Sequence, residues 1–180
     1  KALYVFPLKA LEQDQIKNLH FLIKGLKAKK VSTGIYDGDT SAYRRKQIRA
    51  DIPQILVTNP DMLHTAILAY HDAWEKLFEN LSLVVLDEVH TYRGIFGSHM
   101  NQVVRRLKRV CSLYGSKPQF ALLSATISNP ESFGQSLIEE KIDVVDRSGA
   151  PRAGQHVVFM NPTASPNFSA ARLFTRCIQA

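Results

Sequence analysis

Two adjacent carboxylates, Asp87 and Glu88, directly follow an apolar run at residues 83–86, and His90 stands two positions further on. The run is rich in Val and Leu, which is typical of a strand buried on both faces of a parallel sheet. In open α/β sheets, the carboxyl ends of the strands form the edge where ligands bind. At such an edge one carboxylate can hold a hydrated Mg²⁺, while its neighbour polarises a water for attack on a phosphate. The alternative is a solvated strand end.

The elements that would position these side chains alternate between strands and helices along the chain. Strands are predicted at residues 2–6, 31–36, 54–57, 83–86, 119–123 and 142–145. This alternation predicts an α/β fold with a parallel sheet and helices on both faces. Because parallel strands end at a common edge, we expect the acidic pair to lie near two polar clusters that also follow strands. These clusters are Thr58 with Asn59, and Ser124 with Thr126.

Helix ends are indicated by glycine, proline and small polar residues. Thr40 or Ser41 can cap a helix that ends near residue 51, and proline at positions 60 and 130 favours helix starts. Two glycines predict a loop over residues 91–99, with Ser98 capping a helix over residues 99–114. Residues 146–154 are predicted to be a linker, followed by a strand at 156–160 and a short helix at 170–177.

Composition limits the class of protein. The chain has 180 residues, 45% of them hydrophobic, which is enough for one core of ordinary domain size. Lys and Arg outnumber Asp and Glu by 23 to 16, and the charge of +7 suits a polyanionic partner. Two distant cysteines, Cys111 and Cys177, predict reduced thiols in an intracellular protein. The compartment that we expect is the cytoplasm of a prokaryote or the nucleus of a eukaryote. No apolar run approaches the roughly 20 residues of a membrane span.

Four ordered segments resemble motifs of the first motor domain of superfamily 2 helicases. Residues 6–15 (FPLKALEQDQ) resemble motif Ia, 58–63 (TNPDML) motif Ib, 87–90 (DEVH) motif II and 124–126 (SAT) motif III. The longer runs at residues 90–99 (HTYRGIFGSH) and 36–40 (YDGDT) resemble the Hrq-type and MrfA-like DNA helicases in particular. The resemblance covers residues 2–162 and implies a RecA-like fold of the P-loop NTPase class, together with ATP and Mg²⁺ as cofactors.

The P-loop of this family, G-x-x-x-x-G-K-[ST], precedes motif Ia and has no match in the chain. The resemblance therefore implies that residues 1–148 are a first RecA-like domain, truncated at its N-terminus and carrying motifs Ia to III. Residues 149–180 would be a linker and the start of the second RecA-like domain. We expect the chain to be an excerpt from a longer ATP-dependent helicase. The excerpt alone should be inactive, whereas the longer protein should hydrolyse ATP.

The resemblance also implies roles for the residues that follow the central strands. Asp87 would hold Mg²⁺ through water on the phosphates of ATP, and Glu88 would orient and deprotonate the attacking water. His90 would couple the site to motif III or to the second motor domain; the alternative is a hydrogen-bonded histidine after a strand. Ser124 and Thr126 would relay the nucleotide state; the alternative is that both hydroxyls only cap a strand end.

Candidates for binding the nucleic-acid strand come from motifs Ia and Ib and from the 36–40 run. Lys9, Thr58 and Asn59 would lie beside phosphates, and Gly38 with Asp39 would frame the same groove unless they form a plain turn. Contacts of this kind are independent of base sequence and sensitive to salt, as a moving motor requires.

Several functions fit these motifs. The first is a DNA helicase or translocase working with other domains of a longer chain and with no membrane partner. The others are an RNA remodeller, a degenerate motor domain kept for docking nucleic acid or protein, and a metal phosphoesterase built on Asp87, Glu88 and His90. The last is disfavoured because the sequence offers no second cluster of histidines and carboxylates.

Overall fold

Parallel strands form the centre of the structure, a computed structural model that describes residues 1–7, 9–25, 31–125, 127–147 and 149–151, without the side chains of residues 9–14 and 24. In these residues the strands are β1 (Ala2–Val5), β2 (Thr33–Ile35), β3 (Ile55–Thr58), β4 (Leu83–Leu86) and β5 (Gln119–Leu122). They pair in the order β2-β3-β1-β4-β5, and every pair is parallel. Their carboxyl ends therefore meet at one edge.

Helices connect the strands. The α-helices are α1 (Lys9–Gly25), α2 (Ala42–Ala50), α3 (Pro60–Met62), α4 (Glu75–Glu79), α5 (Gly94–Leu113) and α6 (Pro130–Ile138). A π-helix over Leu63–Ile67 continues α3, and 3₁₀ turns cover His71–Trp74 and Val89–Thr91. From the central strand β1 the chain moves to β2 at one edge of the sheet. From β2 onward it moves step by step toward β5 at the opposite edge. Because parallel crossovers are right-handed in nearly all proteins, this reversal puts helices on both faces, and the predicted α/β class is confirmed.

The core explains why these strands are central. β1, β3 and β4 lie inside the sheet and bury Leu3, Val5, Leu56, Val84 and Leu86 completely. Helices and turns cover these side chains with further buried residues: Leu63, Ile67, Leu68, Trp74, Leu77, Phe78, Met100 and Leu107. Burying one such aliphatic or aromatic side chain is worth about 1.5–3 kcal/mol. The residues that follow β1, β3 and β4 therefore start from a rigid base.

Two predicted helix starts, at Ser41 and at Pro60, are confirmed, and Asn59 is found to be a helix cap. The Ser41 hydroxyl accepts the Arg44 N–H at 3.3 Å at the start of α2. The Asn59 side-chain oxygen accepts the Met62 N–H at 2.9 Å, and Pro60 opens α3 behind it. These caps satisfy N–H groups that have no partner within the helix. They also fix where the polar residues after β2 and β3 leave the sheet.

The predicted loop over residues 91–99 is wrong. Helix α5 begins at Gly94, and the Ser98 hydroxyl lies inside the helix and donates to the Gly94 carbonyl at 3.2 Å. Gly94 has a φ of 57°, which an L side chain rarely adopts, and so allows the turn into the helix. At Gly97 a Cβ atom would lie 2.4 Å from the Tyr92 carbonyl oxygen. Both glycines thus serve the start of a helix packed against the preceding turn.

Gly97→Ala is expected to destabilise the first half of α5 by about 1–3 kcal/mol, because the added methyl group overlaps a backbone carbonyl that cannot rotate away. Hydrogen exchange of the α5 amides in the full-length protein would measure the loss. Gly25→Ala is the matched control, since a Cβ at the end of α1 meets nothing within 4 Å. Equal protection of α5 in wild type and Gly97→Ala would contradict this packing.

The predicted strand at residues 142–145 is also wrong. These residues pair with no strand of the described sheet, and Ile142 instead packs against the core near Gly134 of α6. Residues 1–144 form one compact unit. The predicted strand at 156–160 and helix at 170–177 lie outside the described residues, and the division at residue 148 stays a prediction. Among the described helices, none combines the length and apolar character that a membrane crossing requires.

Candidate active site and nucleic-acid edge

Asp87 is held in place by the sheet itself. Its N–H donates to the Val5 carbonyl at 3.0 Å, which continues the β1–β4 ladder one residue past the strand. Its Oδ1 accepts the Glu88 N–H at 2.8 Å, and its Oδ2 accepts the Tyr4 hydroxyl at 3.4 Å. The carboxylate is partly exposed and, when ionised, offers about four acceptor sites. It therefore retains capacity for further donors such as metal-bound water.

Glu88 adopts an unusual backbone conformation. Its φ and ψ of 49° and 42° lie in the left-handed region, which costs a non-glycine residue about 1–2 kcal/mol. Its carbonyl accepts the Thr91 N–H at 2.9 Å and the Thr91 hydroxyl at 2.8 Å, so the 3₁₀ turn holds this conformation. Non-glycine residues keep this conformation only where the surrounding structure holds them in it, and such residues cluster at functional sites. The conformation supports a functional reading of Glu88.

His90 lies between the acidic pair and the segment after β5. Its Nδ1 is 3.2 Å from Oε2 of Glu88 and 3.5 Å from Oγ of Ser124. When Nδ1 carries a proton it can donate to Glu88, and when it is bare it can accept the Ser124 hydroxyl. The backbone makes the same link, because the Val89 N–H donates to the Leu123 carbonyl at 2.9 Å. The structure thus brings the DEVH segment and Ser124 together, while Thr126 lies outside the described residues.

Helix α6, which follows the Ser124 segment, is tied to α5 at its C-terminal end. The Asn101 side-chain amide donates to the Ser136 and Leu137 carbonyls, each at 3.0 Å. Arg105 pairs with Glu139 at 3.5 Å on the same side of α5. The polar face of α5 therefore binds carbonyls and carboxylates at the end of α6 and helps to fix the return path of the chain.

Two tyrosines near Asp87 were missed by the sequence reasoning. Burial, reinforced by the Asp87 charge and by the hydrogen bond to it, raises the pKa of Tyr4 to about 12. Burial, again with the Asp87 charge, raises the pKa of Tyr92 well above its usual value. Both phenols therefore remain protonated and able to donate at neutral pH. The Tyr92 hydroxyl is buried with no hydrogen-bond partner among the described residues.

The residues predicted to bind nucleic acid lie at the carboxyl ends of β2 and β3 and at the start of α1. Thr58 is fully buried, and its hydroxyl donates to the Tyr36 carbonyl at 2.7 Å. Asn59 is nearly buried and caps α3. The Thr58 side chain therefore joins β3 to β2 instead of facing solvent. Lys9 begins α1, and its side chain lies outside the described residues.

Gly38 and Asp39 are exposed in a turn that is organised from within. The buried Asp37 carboxylate accepts the Thr40 hydroxyl at 2.5 Å and the Asp39 N–H at 3.1 Å. Arg45 of α2 donates to the Asp37 carbonyl at 2.8 Å and to the Gly38 carbonyl at 3.1 Å. The turn is thus rigid, with the Gly38–Asp39 peptide at its tip.

Within the described residues, no group of three or more His, Cys, Asp or Glu side chains could hold a metal ion by itself. Mg²⁺ typically takes one or two protein carboxylates, keeps several waters and shares substrate phosphates. Asp87, partly exposed with acceptor capacity to spare, fits that manner of binding.

The fold is that of a RecA-like domain of the helicase type. The family model for DEAD/DEAH box helicases matches residues 1–133, and the chain belongs to that family. The RecA-like fold expected from the sequence motifs is thereby confirmed.

Individual relatives narrow the family. The chain is 51% identical over 162 residues to "Uncharacterized ATP-dependent helicase YprA" of Bacillus subtilis, a match that covers 90% of this chain and 21% of YprA. It is 36% identical over 174 residues to the ATP-dependent helicase HRQ1 of Saccharomyces cerevisiae, covering 94% of this chain and 16% of HRQ1.

A solved structure gives the same result. The crystal structure of the DUF1998 helicase MrfA bound to DNA and AMPPNP matches with a TM-score of 0.77 and 51% identity, over 84% of this chain and 21% of that chain. The predicted resemblance to Hrq-type and MrfA-like helicases is confirmed. The chain spans about a fifth of the length of these relatives.

Proposed function

We propose that this chain is part of the first motor domain of an ATP-dependent DNA helicase or translocase, which couples ATP hydrolysis to movement along a strand or to unwinding. The observation that carries the proposal is the meeting of Asp87, Glu88, His90 and Ser124 at one open edge of the sheet. YprA and HRQ1 are named ATP-dependent helicases, and MrfA has been solved with DNA and AMPPNP, which supports the same assignment.

The acidic pair would divide the chemistry between two carboxylates. Asp87 would hold the water shell of Mg²⁺, since its backbone and one oxygen are fixed and it keeps acceptor capacity. Bound Mg²⁺ would neutralise developing charge on the transferred phosphoryl group. Glu88 would orient the attacking water and take its proton, with the left-handed backbone setting the direction of its side chain.

His90 and Ser124 would couple this chemistry to the rest of the motor. Nδ1 of His90 lies within reach of both the Glu88 carboxylate and the Ser124 hydroxyl. A change of protonation or tautomer would therefore favour one partner over the other. Thr126, the second hydroxyl of the Ser-Ala-Thr segment, would act in the same relay.

The nucleic-acid strand would run over the carboxyl ends of β2 and β3. The exposed Gly38–Asp39 peptide and Lys9 at the start of α1 would contact sugar and phosphate, as sequence-independent readers do. Thr58 and Asn59 would support this surface without contacting the nucleic acid, because they fix the end of β3 and the start of α3. DNA is favoured over RNA because MrfA, at 51% identity, is bound to DNA. An intracellular location would be consistent with that substrate.

ATP hydrolysis by the full-length protein is expected to rise when single-stranded DNA is added, because strand binding and nucleotide chemistry share one edge of the sheet. Steady-state ATPase assays over a DNA titration would measure the rise. An RNA of the same sequence is the comparison, and stimulation by RNA alone would favour the RNA remodeller. Equal rates with and without any nucleic acid would overturn the proposal in favour of a docking module.

A matched pair of lysine variants tests, in the same ATPase assay, where the DNA strand lies on the domain. Lys9→Ala should raise the DNA concentration needed for half-maximal stimulation, and should lower the log–log salt slope by about 0.7 for one lost phosphate contact. Lys76→Ala, an exposed lysine on α4, should change neither quantity. An unchanged salt slope in Lys9→Ala would contradict the placement of the strand at the start of α1.

A further inference from the structure

Both oxygens of the Asp87 carboxylate have donors, and only one of these donors is a side chain. Oδ1 accepts the Glu88 N–H at 2.8 Å, whereas Oδ2 accepts the Tyr4 hydroxyl at 3.4 Å. Rotation of the carboxylate about its Cβ–Cγ bond would break both contacts together. The Glu88 N–H restrains this rotation through Oδ1 alone. The Tyr4 hydroxyl adds a second restraint through Oδ2.

The register of the sheet places Tyr4 where it can reach Asp87. Tyr4 of β1 lies opposite Val85 of β4, and alternate residues of a strand point to the same face. Asp87 stands two residues beyond Val85, so it projects on the same side as Tyr4. Pairing of β1 with β3 on one side and with β4 on the other therefore sets the distance between the phenol and the carboxylate.

The Tyr4 ring has little freedom of its own. It stacks on Phe6 with a centroid distance of 4.5 Å and an interplanar angle of 5°. Phe6 is 1% exposed, so the surface on which Tyr4 stacks is itself fixed. A hydroxyl on a restrained ring loses little entropy when it donates to the carboxylate, which favours this contact even at its long distance of 3.4 Å.

We infer that Tyr4 is a positioning residue that holds the Asp87 carboxylate in the orientation required to bind the water shell of Mg²⁺. The inference rests on the proposed function, in which Asp87 is the residue that holds the metal. Tyr4 touches neither nucleotide nor metal in this assignment, and acts only through Asp87. It adds to the site a residue from β1 that no helicase motif of the chain contains.

Tyr92 provides a matched comparison within the same neighbourhood. Its hydroxyl is buried and interacts electrostatically with the Asp87 carboxylate, but it makes no hydrogen bond among the described residues. Tyr92→Phe thus removes a buried hydroxyl near Asp87 without removing a donor to it. Tyr4→Phe removes the donor and keeps the ring stack on Phe6.

The experiment uses the full-length protein and measures metal binding directly as well as activity. Binding of Mn²⁺ to the complex with a non-hydrolysable ATP analogue is followed by electron paramagnetic resonance, and the Mg²⁺ dependence of ATP hydrolysis is measured in parallel. Tyr4→Phe should raise the half-saturating metal concentration about 3- to 10-fold in both assays, as expected for one lost hydrogen bond. Nucleotide affinity in excess chelator and kcat at saturating Mg²⁺ should stay near wild type.

Tyr92→Phe should leave the metal dependence unchanged. Equal shifts in both variants would overturn the inference, because the cause would then be a general change near Asp87 and not the Tyr4 hydrogen bond. An unshifted Tyr4→Phe in a wild-type protein that binds Mn²⁺ with nucleotide would overturn the inference alone. A wild-type protein without metal-dependent nucleotide binding would overturn the proposed function and this inference with it.

Discussion

Replacing Glu88 by glutamine is expected to slow ATP hydrolysis by the full-length protein about 10²- to 10⁴-fold, which is the usual contribution of a general base. Glutamine keeps the size and shape of the side chain but cannot accept the proton of the attacking water. ATP binding should remain, because Asp87 and the backbone around it are untouched. Single-turnover hydrolysis, with nucleotide binding measured separately, would divide the two effects.

Glu79→Gln is the matched control for this substitution, because Glu79 is an exposed glutamate on α4. It should hydrolyse ATP at the wild-type rate. Hydrolysis by Glu88→Gln within a factor of two of wild type would rule out Glu88 as the base. Loss of nucleotide binding together with hydrolysis would instead assign Glu88 to binding.

Trp74→Ala is expected to lower the free energy of unfolding of this domain by about 3–5 kcal/mol, as large-to-small changes in a core do. Trp74 is 1% exposed, and its ring meets the Tyr36 ring edge-on at a centroid distance of 4.8 Å. A typical domain is stable by only about 5–15 kcal/mol, so the loss would leave β2 and β3 weakly protected. Hydrogen exchange of the β2 and β3 amides in the full-length protein would measure this loss of protection.

Tyr70→Ala is the comparison for Trp74→Ala, because it removes an aromatic ring four residues away that is 66% exposed. Its effect should stay within about 0.5 kcal/mol, as for most surface substitutions. Similar losses of protection in the two variants would mean that burial of Trp74 does not stabilise this part of the sheet.

Residues with a local signal were predicted well from the sequence. The run at residues 83–86 is a strand because it is apolar throughout, and Pro60 opens a helix because proline is favourable in the first turn and not further inside a helix. The acidic pair and Ser124 meet because both follow parallel strands, which depends on strand order and not on any contact visible in the sequence. Alternation of strands and helices was sufficient to predict that common edge.

Residues whose role depends on tertiary packing were missed. Gly97 looked like part of a loop, but the structure requires glycine there because a helix passes close to the Tyr92 carbonyl. Tyr4 looked like one more apolar strand residue, since its partner is set by the register of β1 against β4. Residues 142–145 carry a strand-like pattern, yet a strand forms only where another strand pairs with it.

Because the buried Thr58 hydroxyl joins the ends of β2 and β3, the tip of the 37–40 turn and the α3 start cannot shift against each other without breaking that bond. A nucleic-acid strand lying across both elements would therefore contact two points that are held at a fixed distance from each other.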